Sequence, residues 1–455
     1  VRTHDVVVIG AGSGNAVIDE GFSSLDVAIV ADGPFGGTCL NRGCIPSKML
    51  IRAAEVADTV RDAGRYGVDA RLSGVRWRDV RDRIFGRLDE QSAQGRQGRE
   101  DEQNITVYDG TARFVGSHRL RIETADGPVD VTAERFVIAA GGRPVVPPPV
   151  AESGLPYETS DTVMRLDELP RTMVVVGGGY IAAELATAFS AFGVDVSIVE
   201  QTSALLAGQD EDVVETFTSE ARKRFDLHLG REVVGVEGQP GALQVKLDDG
   251  SMLAAELLLV AVGRQPNSDR LAVDKTGVET TEDGRVVVDE YQRTAADGIF
   301  ALGDICTPVP LKHVANREAE VVSHNLKHPD DLIRAAHDVV PSAIFTRPQI
   351  AAVGLTEQEC RDRKLAHRIG KTAYADVAYG WALEDETGFC KVIAEPDTGK
   401  LLGAHIVGPQ AATLIQPLVL AMTLGLDATA VANTPYWPHP ALTEVVENAL
   451  LDLAD

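Results

Sequence analysis

The sequence predicts an α/β fold in which two parallel-sheet units precede a smaller α+β domain, and three observations predict it. At about 100 to 200 residues per domain, a chain of 455 residues holds about three domains, each long enough to bury its own core. A grammar of apolar strand, glycine turn and apolar helix occurs at 5–17 and again at 173–192. Beyond about residue 340 that grammar stops, and short strands (388–394, 401–407) with helical runs (411–424, 441–453) replace it.

The first unit opens with Asp-Val-Val-Val-Ile-Gly at 5–10, a β-branched run of the kind covered on both faces of a parallel sheet. The turn Gly10-Ala11-Gly12-Ser13-Gly14-Asn15 follows at once and is expected to open a helix. Glycines there let the chain bend sharply and let a pyrophosphate approach the amides of a helix N-terminus, where the dipole favours negative charge. Gly10, Gly12, Ser13, Gly14 and Asn15 are therefore candidate contacts of a dinucleotide in a Rossmann-like unit. Asn15 stands at the third glycine position of the pattern. The position about 20 residues on where an acid is expected, at the end of the strand 27–30, holds Ala31, with Asp32 beside it as the candidate for the ribose.

Apolar residues at Leu50, Ala53, Ala57 and Val60 predict an amphipathic helix over 46–66, with Pro46 in its first turn. The polar stretch 89–104 reads as a helix end and a loop. Val145-Val146-Pro147-Pro148-Pro149 is stiff and poor in donors, which marks a connector and a boundary near 150.

The second unit carries Gly177-Gly178-Gly179-Tyr180-Ile181-Ala182, an apolar helical stretch at 180–192 and a strand at 195–200. Gly177, Gly179, Tyr180, Ile181 and Glu200 are its candidate contacts. The terminal Ala of this turn points by analogy to a 2′-phosphorylated cofactor. Glu200 points the other way, because a carboxylate there accepts two ribose hydroxyls and repels a phosphate, and 201–207 contain no Arg or Lys. Burying a dianion beside a carboxylate without a cation is costly, so NADH is expected over NADPH.

Five cysteines in this length are no disulfide framework, and a reducing compartment leaves most as thiols. Cys39 and Cys44 nevertheless lie close together. On a straight helix five residues rise about 7.5 Å, beyond the usual Cα separation in a disulfide, so Cys39 is expected off the helix, in the preceding turn. Gly36, Gly37 and Gly43 give that turn its freedom. The short loop suggests a disulfide formed and broken during turnover, with Cys44 favoured as a thiolate at a helix N-terminus; the bland alternative is two unrelated buried thiols. No second Cys or His pair has the spacing of a zinc site, so no metal is expected. Cys306, Cys360 and Cys390 are isolated and read as packing residues.

With 68 acidic and 43 basic residues the formal charge is −25, the wrong sign for a protein that neutralises nucleic-acid phosphates. No run of about 18 apolar residues exists to span a membrane. Val1-Arg2-Thr3-His4-Asp5 leads directly into a strand rather than a signal sequence, and a cytoplasmic protein is expected.

The string Gly36-Gly37-Thr38-Cys39-Leu40-Asn41-Arg42-Gly43-Cys44-Ile45-Pro46-Ser47-Lys48 closely resembles the redox motif of the pyridine nucleotide–disulfide oxidoreductases, the glutathione reductase and lipoamide dehydrogenase family. The resemblance runs through Ala140-Gly141-Gly142-Arg143-Pro144, Val262-Gly263-Arg264-Gln265-Pro266-Asn267, Ala301-Leu302-Gly303-Asp304 and His439-Pro440-Ala441-Leu442-Thr443-Glu444. It implies FAD on the first turn, NAD(P)H on the second and a homodimer. The implied segments are 1–150 and 271–337 for flavin, 151–270 for nicotinamide and 338–455 for dimerisation. Gly37, Thr38, Gly141, Arg143, Gly263, Arg264, Gly303 and Asp304 join the implied cofactor contacts, Asp304 on the ribityl chain.

The resemblance also implies roles. Cys44 is the charge-transfer thiolate and Cys39 the interchange thiol that attacks a small disulfide substrate. Lys48 pairs with Glu184 beside the flavin, and Tyr180 covers the nicotinamide pocket. Taken alone, a His before Pro is an ordinary loop residue; in this setting His439 is the acid–base, oriented by Glu444 and supplied by the partner subunit. The segments 159–165, 288–294, 311–316 and 376–382, with the Gly12-Ser13-Gly14-Asn15 turn, resemble one branch of the family that reduces a low-molecular-weight disulfide. NADPH-using relatives carry two arginines where this chain has Gln201 and Ala207. A lipoamide dehydrogenase and a non-catalytic nucleotide-responsive flavoprotein are the competing readings. The tail 450–455 lacks the cysteine pair of a mercuric reductase.

Overall fold

The computed structural model describes residues 1–453; Ala454 and Asp455, the end of the expected segment 338–455, lie outside the described residues. Strand Arg2–Ile9 is central to the first sheet, parallel to Val27–Ala31 on one side and to Gly127–Ile138 on the other. Val6, Val7 and Val8 are fully buried, as a run covered on both faces requires. Strand Ile105–Gly116 runs parallel to Val27–Ala31 at first, then turns antiparallel against Arg119–Thr124, which pairs with Gly127–Ile138. The sheet is completed by Ile299–Ala301, so the chain leaves this unit and returns to it. The crossing is marked by a two-stranded ladder of Gly142–Pro144 with Arg264–Pro266.

Between these crossings lies a second, all-parallel sheet centred on Thr172–Val176, flanked by Asp195–Glu200 and Leu257–Val260 and edged by Asp226–Leu229 and Glu158–Thr159. The C-terminal part is a five-stranded antiparallel sheet, in the order Ser342–Ile344, Ile350–Gly354, Leu401–Val407, Phe389–Ala394 and Arg368–Ala373. Among the described residues no helix is long and apolar enough to cross a membrane.

One packing contact positions the site. Helix Cys44–Asp62 lies against helix Tyr180–Ala191, whose Ala182, Ala183 and Ala186 are buried and small enough to permit close approach. Leu50 and Ala54 of the first helix and Phe189 of the second share one core, and burying Leu50 contributes about 1.5 to 3 kcal/mol. Trp77 joins this core with its ring 5.8 Å from that of Phe189.

Several elements differ from expectation. No α-helix follows the first glycine turn: the chain forms 3-10 helices at Ser13–Val17 and Glu20–Phe22. Gly, Ser, Asn and Asp dilute helix propensity there, and a Cβ on Gly14 would lie 2.7 Å from Ala139 Cβ, so the segment sits directly on the sheet. The polar stretch 89–104, read as a helix end and a loop, is helical through Glu100, so the helix end extends further than expected and the loop is short. Its exposed face is laced by Arg96–Glu100 at 2.7 Å and Gln94–Glu90 at 3.0 Å, while Leu88 and Ser92 anchor the other. The helix expected over 46–66 begins at Cys44 and ends at Asp62, with a 3-10 turn, Ala63–Tyr66, after it. The run 411–424 is broken into Ala411–Leu414 and Gln416–Leu424, the second carrying a proline in its first turn.

Candidate active site

Gly36 and Gly37 adopt left-handed conformations, with φ of +92° and +59°, and deliver the chain into a five-residue helix, Gly37–Asn41. Cys39 therefore lies off the long helix, but in a helical turn of its own rather than in a loop. Buried Asn41 fixes this turn, its Nδ2 donating to the carbonyls of Phe35 at 2.9 Å and Gly37 at 3.0 Å. Arg42 and Gly43 leave helical geometry, and Cys44 starts the long helix. A Cβ on Gly43 would meet the Thr38 carbonyl at 2.9 Å, so glycine permits this fold-back.

Both thiols are free in the structure. The hydrogen bond from the Cys39 thiol, opposed by burial and aided by the charge of Lys48, brings Cys44 down to about 7. Cys39 moves the opposite way, because its proton is held against the Cys44 sulfur and burial adds to the effect, while Lys312 opposes it. The two thiols are thus shifted in opposite directions, with Cys44 the more acidic of the pair. The helix N-terminus invoked for Cys44 is secondary to its neighbouring thiol.

Lys48, one turn beyond Cys44, places its Nζ 2.6 and 2.8 Å from the two carboxylate oxygens of Glu184. Glu184 is 5% exposed, and its Oε1 also accepts from the Phe345 backbone N–H at 2.8 Å. Three distant segments thus converge on one carboxylate.

The cysteines, Lys48 and Glu184 line a cavity of 1630 Å³. That exceeds the usual 300 to 1,000 Å³ of a single-ligand pocket by about half or more. Its walls include Gly10, Gly12 and Ser13 of the first turn, then Asp32, Gly37 and Thr38. Gly141, Arg143, Arg264, Gly303 and Asp304 form another side, and Gly179, Tyr180, Ile181 and Glu200 extend it into the second unit. A Cβ on Gly37 would lie 2.7 Å from Gly12 Cα, so side chains at this junction would fill the cradle. Continuous access from one glycine turn to the other fits two dinucleotides meeting near the cysteines.

Glu200 turns one oxygen to the Thr202 N–H at 2.8 Å, while a Cβ on Gly178 would crowd its other oxygen at 2.8 Å. Arg143 is gripped by Asp269 at 2.7 Å, and Arg264 by Asp161 at 2.9 Å. Burial raises the Asp304 carboxyl above its ordinary range, with Arg264 and Lys312 opposing.

Four expected cofactor contacts do not face the cavity. Gly14 packs on the sheet. Asn15 is occupied by Arg99, which donates to its side chain at 2.8 Å and its carbonyl at 2.9 Å. Gly177, with φ of +111°, lets the turn pass the Ala261 carbonyl, which a Cβ would meet at 2.5 Å. Gly263 has φ of +137°, and its carbonyl accepts from Val145 N–H at 2.9 Å. These residues shape the turns that others use.

Sequence reasoning missed Glu318. It is 1% exposed, accepts from the Gly303 N–H at 2.6 Å and is pushed up to about 7 by burial. The signal available was an acid on the otherwise apolar face of helix Lys312–Lys327, beside Val314, Ala315 and Ala319.

His439 and Glu444 form a separate couple. His439 Nδ1 and Glu444 Oε1 are 2.8 Å apart, and Glu444 also accepts from the Ala441 N–H at 3.2 Å. The bond from His439 holds the Glu444 carboxyl below its ordinary range. The His439 side chain is 71% exposed and does not line the cavity of its own chain. Exposed Trp381, Leu420, Leu424 and Tyr436 belong to the same C-terminal part.

Comparison with known proteins agrees with this geometry. The family model described as pyridine nucleotide-disulphide oxidoreductase matches residues 4–319, and that of its dimerisation domain matches 340–450. The chain is 50% identical over 462 residues to mycothione reductase of Mycobacterium tuberculosis, covering 100% of both. It is 34% identical over 462 residues to dihydrolipoyl dehydrogenase of Halobacterium salinarum, covering 98% of this chain and 95% of that one. The solved Cu(II) complex of the HOCl-induced flavoprotein disulfide reductase RclA from Escherichia coli superposes with a TM-score of 0.85 at 27% identity, over 100% of this chain and 99% of that one. The chain belongs to the pyridine nucleotide-disulphide oxidoreductases and is an NAD(P)H-dependent flavoprotein disulfide reductase.

Proposed function

We propose that the protein reduces mycothione, the disulfide of mycothiol, with NADH as the electron source, as a homodimer in the cytoplasm. The class of reaction rests on one observation: Cys39 and Cys44 stand beside the Lys48–Glu184 pair in a single cavity that reaches both glycine turns. The choice of disulfide rests on 50% identity to a mycothione reductase across both full lengths. Residues 1–150 and 271–337 are read as the flavin segments, 151–270 as the nicotinamide segment and 338–455 as the dimerisation segment.

Gly12, Ser13, Gly37 and Asp304 would hold FAD, which would supply the two-electron link between the nicotinamide and the Cys39–Cys44 disulfide, so that the pair is reduced to the dithiol. Lys48, fixed by Glu184, holds a positive charge where negative charge collects. Cys39, as thiolate, attacks one sulfur of the substrate, forming a mixed disulfide and expelling the first thiolate. The partner subunit's His439, oriented by its Glu444, takes the Cys39 proton before attack and returns it to the leaving thiolate. Cys44 then attacks the Cys39 sulfur, releases the second thiolate for protonation and restores the disulfide. Two electrons and two protons thus convert one disulfide to two thiols.

Glu200 is assigned to the ribose hydroxyls of NADH, Tyr180 to the lid of the nicotinamide pocket and Asp304 to the ribityl chain. A reducing cytoplasm keeps buried Cys306, Cys360 and Cys390 as thiols. A second reading, oxidation of a dihydrolipoyl group, is favoured by Glu200 and by the similarity to a dihydrolipoyl dehydrogenase. Steady-state kinetics with NADH and NADPH, crossed against mycothione, glutathione disulfide and lipoamide, separate the two. The highest kcat/KM is expected for NADH with mycothione. Preference for lipoamide overturns the substrate, and preference for NADPH overturns the role of Glu200.

A further inference from the structure

Lys312 has no task in the chemistry above, although it lies in the cavity. It is the first residue of helix Lys312–Lys327, and its Nζ donates to Ser13 Oγ at 2.9 Å, joining positions 299 apart in sequence. Ser13 begins the 3-10 helix of the first glycine turn, and both side chains line the cavity. Lys312 is half-buried and makes no ion pair among the described residues, whereas the other cations at the walls are committed or peripheral. Lys48 is held by Glu184, Arg42 and Arg264 by Asp161, and Arg143 by Asp269, while Arg270 is exposed at the rim.

An ammonium group has three N–H donors, and Ser13 accepts one. A partly desolvated cation with unused donors is stabilised by an anion placed against it. The first glycine turn is also where such help is needed. The second turn is followed by a 12-residue α-helix, Tyr180–Ala191, whose aligned peptide dipoles favour a phosphate. The first turn is followed only by five residues of 3-10 helix without a side-chain cap, which align fewer peptides toward the ligand.

We infer that Lys312, acting with Ser13, supplies the positive charge that holds the diphosphate of the dinucleotide at the first glycine turn. The inference rests on the reading that FAD occupies that turn. Accepting from Lys312 leaves the Ser13 hydroxyl hydrogen free to donate, so the pair offers a charge and a directed hydrogen bond to one anionic group.

The test is FAD binding to the flavin-free full chain, followed by flavin fluorescence, for wild type, Lys312→Arg, Lys312→Met and Lys312→Glu. Riboflavin serves as a control with the same ring and ribityl chain but no phosphate. Loss of one charge-assisted bond predicts FAD affinity lower by about 10- to 100-fold in Lys312→Met, lower still in Lys312→Glu and largely kept in Lys312→Arg. Ser13→Ala should lose less than Lys312→Met. The melting temperature of the flavin-free chain should stay constant across the set, which separates a binding effect from a folding one. Equal FAD affinity in all variants, an equal loss for riboflavin, or a shift of the cysteine titration with unchanged FAD affinity would each overturn the inference. Failure of the wild-type chain itself to take up FAD would instead overturn the flavin reading on which it rests.

Discussion

The cysteine end and the histidine end of this molecule are each a couple of neighbouring titratable groups, yet they face different surroundings. Cys39 and Cys44 look into a cavity whose walls come from three parts of the chain, with Lys48 and Glu184 already locked behind them. His439 and Glu444 are hydrogen-bonded at 2.8 Å, but the imidazole is 71% exposed and does not line that cavity. One chain thus lines a cavity with its cysteine pair and leaves its His439–Glu444 couple exposed. In a family with a dimerisation domain, matched here at 340–450, this division suggests that the second couple completes the site of another protomer.

The largest expected effect comes from the redox end. Cys44→Ser should reduce disulfide turnover to background and remove the long-wavelength absorption of the two-electron-reduced enzyme. Cys39→Ser should also abolish turnover but keep that absorption, because the Cys44 thiolate remains. The opposite pattern would exchange the two roles.

Next in size is the proton end. His439→Gln should lower kcat for disulfide reduction by about 10²- to 10⁴-fold, with the rate of flavin reduction by NADH unchanged in stopped flow. Slowing of both half-reactions would place His439 in a structural role.

Lys48→Met leaves buried Glu184 with only the Phe345 N–H. Because the Lys48 side chain is 35% exposed, the loss is discounted to about 2 kcal/mol of stability, read as a lower denaturant midpoint. The same change should move the Cys44 titration. With Cys44 at about 7, the thiolate appears as pH rises through that value, and losing the Lys48 charge shifts the midpoint to higher pH. A midpoint that does not move would separate Lys48 from the thiolate.

The smallest effect is expected at the cofactor-selecting end, where Glu200→Ala should lower the kcat/KM preference for NADH over NADPH by about tenfold through lost charge-assisted hydrogen bonds. An unchanged ratio would remove Glu200 from selectivity.

Much of the redox end was legible in the sequence, because its determinants are local. The β-branched runs before each glycine turn became buried central strands, and the spacing from Cys44 to Lys48 is one turn of a helix. Glu184 was reached through family resemblance, and the packing of two helices through buried alanines brings it to Lys48. What escaped depended on contacts across long separations. Lys312 meets Ser13 only because the chain returns to the first sheet at Ile299–Ala301. Beyond Ser92 the helix through Glu100 buries no residue and carries side-chain pairs instead, which periodicity does not register. The first turn lost its expected α-helix to glycines that press the segment onto the sheet, and Asn15 was drawn from the ligand side by Arg99.

The comparison between the two ends is tested most directly by mixing them. Chains carrying Cys44→Ser and chains carrying His439→Gln, each inactive as homodimers, are unfolded together, refolded and assayed for disulfide reduction. If the histidine of one protomer serves the cysteines of the other, random pairing makes half the dimers mixed, each with one intact site, and about a quarter of wild-type activity returns. If His439 serves its own chain, every site in the mixture lacks one of the two groups, and no activity above the separate variants is recovered.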